Sequence, residues 1–154
     1  GPLQSNKSRL VAEHFDWMHT VDRLKIAQRL SAQRPAAMAP LNVLIEVNVD
    51  GEETKSGVSP EQALDLAREV MKLPNLKLRG FMTIPAPAQT LEAQRRPFAR
   101  LRELLALAQK EFPALDTLSM GMSADMPAAI LEGATLVRVG SALFGPRDYG
   151  QKKN

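Results

Sequence analysis

The stretch DTLSMGMSADMPAAILEGATLVRVGSALFG, residues 116–145, decides the fold. It opens with a strand-like run, DTLSMGM (116–122), continues with a short helical segment from about Ala124 to Gly133, and returns to a strand-like run, TLVRVGSALF (135–144). A strand, a helix and a strand joined by short connections are typical of a parallel sheet with helical crossovers. The stretch therefore predicts an α/β fold.

The chain before this stretch repeats the same order. Three more strand-like runs are WMHTV (17–21), LNVLIEVNV (41–49) and LKLRGFMTI (76–84). Helical patterns follow the second and third of them, in SPEQALDLAREVMKL (59–73) and in the segment 91–112. The whole sequence thus predicts five parallel strands covered by helices.

The helix predicted over 59–73 has a defined start and one apolar face. Ser59 and Gln62 have the spacing of a capping box, and Pro60 suits the first helical turn. Apolar residues recur at intervals of three and four positions, which predicts that this face packs on the sheet: Ala63, Leu66, Ala67 and Val70.

Two architectures fit five parallel strands: an open doubly wound sheet and part of a (β/α)8 barrel. A whole barrel needs about 250 residues. The 154 residues of this chain would therefore close only part of one. The segment RPAAMAPL (34–41) is interpreted as a proline-stiffened connection and not as a linker, which leaves a single domain over 1–154.

The composition narrows the classes of function. No run approaches the roughly 20 apolar residues of a membrane span, and no secretory-signal layout is visible, so we expect a cytoplasmic protein without a membrane partner. The absence of cysteine and the presence of only His14 and His19 disfavour a metal site. The net charge of +3 is spread along the chain, which disfavours nucleic acid as a partner.

Polar and glycine residues follow the last two strands and predict an anion site. Ser123 lies just past one strand, beside the start of the helical segment. Gly140 and Ser141 end the next strand, where a glycine lets a ligand approach the backbone. In (β/α)8 barrels the frequent phosphate site lies after strands 7 and 8, so phosphate or sulfate is the expected ligand.

Arg138 lies between two valines, so strand alternation directs its side chain away from both. Two interpretations stay open: a surface or rim arginine, and an arginine on a barrel interior. An interior guanidinium must have an acceptor, which a bound anion or a ring nitrogen could supply.

Two further residues are candidates with a simpler explanation. His19 and Asp22 are placed after a strand, where a hydrogen bond from His19 would order the loop. Lys55 is interpreted as a solvated loop residue, the alternative being that it reaches the mouth of the site. A serine hydrolase is disfavoured because GMSAD lacks the last glycine of G-x-S-x-G and no histidine follows Ser123.

Five motifs together resemble one family over essentially the whole chain: GPLQSNK, DGEETKSG, RGFMTIPAP, LSMGMSADMPAAI and VRVGSALFG. They are similar to those of the pyridoxal phosphate homeostasis proteins, single-domain relatives of the alanine racemase barrel. The resemblance implies an incomplete (β/α)8 barrel of the alanine racemase N-terminal type, with barrel strands 4 to 8 present. It also implies pyridoxal 5'-phosphate as the cofactor.

The resemblance implies specific site residues. Phosphate-binding residues map onto Ser123, Gly140 and Ser141, while Met122 and Arg138 map to positions beside the ring, with Arg138 facing the pyridine nitrogen. A guanidinium does not release its proton, so it would leave that nitrogen unprotonated. No catalytic residue and no metal ligand are expected.

The function implied is cofactor carriage or regulation in vitamin B6 and amino-acid homeostasis, without catalysis. A pyridoxal phosphate-dependent amino-acid racemase is the alternative, with Tyr149 as a poor candidate for its second base. A purely structural or interaction role is the third possibility.

The resemblance also bears on the first residues. GPLQSNK follows the third barrel strand in the family, so the first three strands and the lysine that forms the Schiff base are expected upstream of Gly1. Absent strands would leave two open sheet edges, which proteins rarely expose. We therefore expect the complete protein to be a monomer and this chain to self-associate through those edges.

Overall fold

The computed structural model describes residues 2–53 and 55–146. Helices and parallel strands alternate over these ranges, as predicted. The elements in chain order are a 3-10 turn (Ser5–Lys7), α1 (Ser8–His14), β1 (Trp17–Val21), α2 (Leu24–Gln33), β2 (Leu41–Glu46), α3 (Pro60–Met71), β3 (Leu76–Met82), α4 (Leu91–Gln109), β4 (Thr117–Met122), α5 (Met126–Leu131), β5 (Leu136–Arg138) and α6 (Ser141–Phe144).

The strands form one parallel sheet in the order β1-β2-β3-β4-β5. A doubly wound sheet reverses its strand order at a switch point. No reversal occurs among the described strands, since each neighbour in space is also the next strand along the chain. The sheet is therefore a section of barrel wall, and the doubly wound alternative is wrong.

A side-chain contact shows how strongly this wall curves. His19 Nδ1 on β1 and Ser119 Oγ on β4 are 3.0 Å apart, although β2 and β3 lie between their strands. Three strand spacings in a flat sheet amount to about 14 Å. The sheet must bend around its inner face to bring these two side chains together.

The two faces of the sheet have different chemistry. Val43, Ile45 and Phe81 belong to the apolar core between sheet and helices. The residues that alternate with them project to the concave inner face. Glu46, Met82 and Ser119 are register partners across β2, β3 and β4, so they form one row on that face. The inner face therefore carries polar side chains as well as the apolar Met82.

The helix α3 begins as its sequence predicts. Ser59 Oγ accepts a hydrogen bond from the Gln62 N–H at 3.2 Å, and Gln62 Oε1 lies 3.4 Å from the Ser59 N–H as the reciprocal acceptor. The predicted apolar face is buried against the sheet at Ala63, Leu66, Ala67 and Val70. The capping residues and the spacing of the apolar residues indicate the same helix, and α3 could therefore be predicted from the sequence.

Three predicted boundaries are wrong. The strand predicted over 135–144 is only Leu136–Arg138, because Ser141–Phe144 turns into α6 with Leu143 and Phe144 N–H groups bonded to the Gly140 carbonyl. The strand predicted over 41–49 ends at Glu46, after which Val47 pairs with Val58 of the following loop. The helix expected from Ala124 begins at Met126.

The outermost strands each pair on one side only within the described ranges. Large apolar side chains are exposed in the segments that precede the first strand and follow the last one along the chain. Leu143 and Phe144 of α6 are 73% and 86% exposed, and Leu10 and Phe15 near β1 are exposed by more than half. A search of the described helices finds none with the length and apolar character of a membrane span.

Candidate functional site

Arg138, at the end of β5, projects onto the inner face of the sheet. Its NH1 group donates to Ser119 Oγ at 2.5 Å, and its NH2 group donates to the Thr83 carbonyl at 3.0 Å. Burial lowers the pKa of the guanidinium, an effect that the charges of Asp125 and Glu46 oppose. Of the two interpretations left open by the sequence, the interior arginine is the one that the structure shows.

The acceptors of Arg138 were not predicted. The sequence suggested a bound anion or a ring nitrogen, whereas the protein itself supplies two oxygens. These bonds use two of the five N–H donors of a guanidinium. Arg138 is thereby held in place, with further N–H groups in its planar fork.

Ser119 connects Arg138 to His19. Its hydroxyl oxygen accepts from Arg138, and its own hydrogen is then available to the His19 Nδ1 at 3.0 Å. Burial first, and the charge of Arg138 second, lower the pKa of His19 and so favour a neutral ring. A neutral imidazole protonated on Nε2 would complete this chain of hydrogen bonds.

The loop-ordering role expected for His19 is wrong, and the strand predicted over 17–21 already contained this residue. His19 lies within β1 and not after it, and its partner is a residue of β4 on the inner face instead of a loop group. Sequence reasoning missed Ser119 altogether. The signal was present, because Ser119 alternates with buried Leu118 and Met120, yet its partners could be assigned only from the curvature of the sheet.

Ser123 and the start of α6 lie together beyond the ends of β4 and β5. Ser123 Oγ accepts a hydrogen bond from the Ala142 N–H at 3.0 Å, which leaves the hydroxyl hydrogen free to donate. Gly140 and Ser141 precede Ala142 directly and are exposed. Three of the predicted site residues, Ser123, Gly140 and Ser141, are therefore neighbours in space.

Gly140 is a glycine without a structural requirement among the described residues. Its φ of −121° is open to any residue, and an added Cβ would meet no described atom within 4 Å. By contrast, a Cβ at Gly80 would lie 1.9 Å from the Thr117 carbonyl oxygen, so pairing of β3 with β4 requires that glycine. The space beside Gly140 is open to a ligand.

Met122 and the turn after it differ from the predicted helix start. The Met122 N–H donates to Asp125 Oδ1 at 2.7 Å, and the side chain of Met122 is 45% exposed. The N-terminal N–H groups of α5 thus adjoin a carboxylate, which disfavours an anion there. An anion in this region would bind more favourably to the hydroxyl of Ser123 and the backbone around Gly140.

Glu46 is the second inner-face residue that the sequence analysis missed. It is 5% exposed, and its Oε2 atom has no hydrogen-bond partner in the described structure. Burial first, and the nearby charge of Asp22 second, raise the pKa of its carboxyl, while Arg138 opposes the shift. An acid between the buried Ile45 and Val47 was the signal available.

The environment of Lys55 matches neither of its two interpretations completely. Its Nζ atom is 3.4 Å from Asp50 Oδ2 and 3.5 Å from the Ile84 carbonyl oxygen, and the side chain is 25% exposed. Asp50 also accepts from the Ala86 N–H at 2.6 Å. Lys55 therefore joins the loops after β2 and β3. Tyr149 lies outside the described residues.

Comparison with known proteins gives the family. Residues 1–148 match the alanine racemase N-terminal domain. The chain is 63% identical over 150 residues to the pyridoxal phosphate homeostasis protein of Pseudomonas aeruginosa, with 97% of this chain and 64% of that protein covered. It is 54% identical over 152 residues to that of Escherichia coli K12, with 99% and 65% covered. The chain thus spans just under two thirds of these relatives.

Solved structures agree in fold. PipY of Synechococcus elongatus PCC7942, in a structure with PLP bound, superposes with a TM-score of 0.83 at 35% identity over 94% of this chain and 68% of that one. An alanine racemase of Clostridium difficile 630 superposes at 0.70 with 21% identity, over 96% and 38% of the two chains, which shows a shared fold alone. The incomplete barrel of alanine racemase type is confirmed, and this chain belongs to the alanine racemase N-terminal domain family, among its pyridoxal phosphate homeostasis proteins.

Proposed function

We propose that this chain supplies the phosphate-binding and ring-binding side of a pyridoxal 5'-phosphate site, in a protein that carries or regulates the cofactor in vitamin B6 and amino-acid homeostasis. The observation that carries the proposal is the position of Arg138, held on the inner face next to the residues beyond β4 and β5. The name of the curated relatives and the PLP bound to PipY support the choice of ligand.

The donor set fits a phosphorylated ligand. The Ser123 hydroxyl has a hydrogen to give, and the bare backbone at Gly140 admits a phosphate that a side chain would obstruct. Ser141, exposed beside them, offers a second hydroxyl. We assign the phosphate to Ser123, Gly140 and Ser141, and the ring to Arg138 and the exposed Met122.

Pyridoxal phosphate, when bound, supplies an aldehyde and a pyridine ring that accepts electrons. Arg138 would hold the ring by donating to its nitrogen, and a guanidinium keeps its own proton. The nitrogen therefore stays unprotonated and withdraws electrons weakly. Such a site disfavours reactions that need a strong electron sink, and the name of the curated relatives is what supports a carrier over a racemase.

Binding variants test this proposal. Arg138→Lys keeps the charge and loses the planar fork, and Ser123→Ala loses one hydroxyl; each is expected to weaken pyridoxal phosphate binding about tenfold in calorimetric titration. Arg96→Ala is the matched control, because Arg96 is an exposed arginine of α4 paired only with Glu92 in the described structure. Ser123→Ala and Arg96→Ala leave the number of lysines unchanged, whereas Arg138→Lys adds an amine, so its affinity is compared with pyridoxine 5'-phosphate, which has no aldehyde.

Equal affinity of Arg138→Lys and Arg96→Ala would overturn the assignment. Far-ultraviolet circular dichroism of each variant shows whether its secondary structure is intact before the titration. Amino-acid racemisation by the loaded protein, lost in Arg138→Lys, would instead support the enzyme.

A further inference from the structure

Glu46 places a carboxyl on the same inner face as Arg138. Its neighbours along the chain, Ile45 and Val47, are buried in the helix-side core, so the Glu46 side chain projects the other way. Its register partner is Met82, which in turn pairs with Ser119. The carboxyl therefore lies in the same row as Ser119, whose hydroxyl accepts a hydrogen bond from Arg138.

The protein leaves this carboxyl incompletely bonded. Glu46 is 5% exposed, and Oε2 is the only buried side-chain nitrogen or oxygen without a partner in the described ranges. Leaving a buried acceptor unpaired is costly. Arg138 is near enough for its charge to act on Glu46, yet the hydrogen bonds of its NH1 and NH2 groups go to Ser119 and Thr83.

An unbonded carboxyl oxygen on the same inner face as a fixed guanidinium complements a ligand that carries both charges. We propose that Glu46 selects phosphorylated pyridines with a primary ammonium group, its Oε2 accepting a hydrogen bond from that ammonium. The inference rests on the proposed cofactor site and names the form of the ligand that this site prefers.

Because Oε2 is buried, the Glu46 side chain must rotate to meet a ligand. Oε2 is buried in the described structure, but it makes no hydrogen bond that rotation of the carboxyl would break. An adjacent ammonium would also reverse the effect of burial and of Asp22, which now raise the pKa of Glu46. Binding of the cation therefore favours the ionised carboxylate that it needs.

Two ligands of nearly equal shape test the proposal. Pyridoxamine 5'-phosphate has an aminomethyl group where pyridoxine 5'-phosphate has a hydroxymethyl group, and neither has an aldehyde that reacts with lysines. Titration of the chain should show about tenfold tighter binding of the amine. In Glu46→Gln this preference should fall to about twofold or less, while the affinity for pyridoxine phosphate changes little.

Asp22→Asn is the matched control, because Asp22 contributes negative charge near Glu46 without lying on its row. It should retain the preference. The ratio of two affinities in one variant cancels any effect of the substitution on folding. An equal ratio in the unmodified chain and in Glu46→Gln overturns the inference, as does loss of the ratio in Asp22→Asn alone.

These titrations distinguish a wrong role for Glu46 from a wrong cofactor site. If both ligands bind with equal affinity and Arg138→Lys weakens both, the cofactor site stands and the role of Glu46 is wrong. If neither ligand binds, or if Arg138→Lys has no effect on either, the proposed function and the inference fall together.

Discussion

Ser119 shows what a single residue does in this site. One hydroxyl takes a hydrogen bond from Arg138 and lies 3.0 Å from His19, so it fixes an arginine of β5 against a histidine of β1. Alternation in the sequence predicted that Arg138 would turn away from its flanking valines. The partners could not be predicted, because they come from strands whose approach depends on how far the sheet bends.

Glu46 leads to a prediction at the residue scale. Its pKa is raised in the folded chain by burial and by Asp22, so folding favours the protonated form. The stability that it contributes is complete below the ordinary glutamate pKa of about 4.3 and is lost as the pH rises through the raised value. Glu46→Gln should therefore be more stable than the unmodified chain at neutral pH.

Urea unfolding at pH 7 and at pH 4 measures this difference. The advantage of Glu46→Gln should shrink at the lower pH, where the carboxyl is mostly protonated in both states. Glu103→Gln, on the exposed side of α4, is the control and should show no such trend. A Glu46→Gln variant that is less stable at pH 7 would contradict the inner-face position given to this carboxyl.

At the scale of elements, strong local signals were predictable and weak ones were not. The start and the buried face of α3 follow from Ser59, Gln62 and an apolar period. The short elements around the site do not: Leu136–Arg138 and Ser141–Phe144 form one apolar run in the sequence, and only local hydrogen bonds to Gly140 divide it. The site lies where the sequence pattern is least decisive.

The attachment of α5 to α4 gives an element-scale prediction. Glu132, 5% exposed at the end of α5, accepts from Arg95 Nε at 2.8 Å and pairs with Arg102. Glu132→Ala removes both bonds, but the two arginines are partly exposed and regain water. The expected loss is about 1–3 kcal/mol in the free energy of unfolding.

Glu92→Ala is the comparison, because it breaks an exposed pair with Arg96 within one helix. Its expected cost is below about 0.5 kcal/mol. Thermal or urea unfolding of both variants measures the difference. Equal costs would mean that the pair of arginines on Glu132 does not fix α5.

At the scale of the whole molecule, the sheet is an arc with two edges. Leu143 and Phe144 follow β5 along the chain and Leu10 and Phe15 precede β1, and all four are exposed by more than half. Exposed strand edges with apolar flanks favour pairing between copies. Self-association of this chain therefore stays our prediction.

Light scattering at micromolar concentration should show a dimer or larger species. Replacing Leu143 and Phe144 by serine should reduce the mass, because these side chains are the most exposed apolar ones beside β5. A chain that is already monomeric at this concentration would contradict the prediction.

The central proposal concerns where the phosphate lies, and backbone amide NMR tests it most directly. Adding pyridoxal 5'-phosphate to the isotope-labelled chain should shift the amide signals of Ser123, Gly140, Ser141 and Ala142, together with the side-chain Nε–H of Arg138. Shifts confined to lysines or to the outer faces of the helices, with these five signals unchanged, would contradict the site.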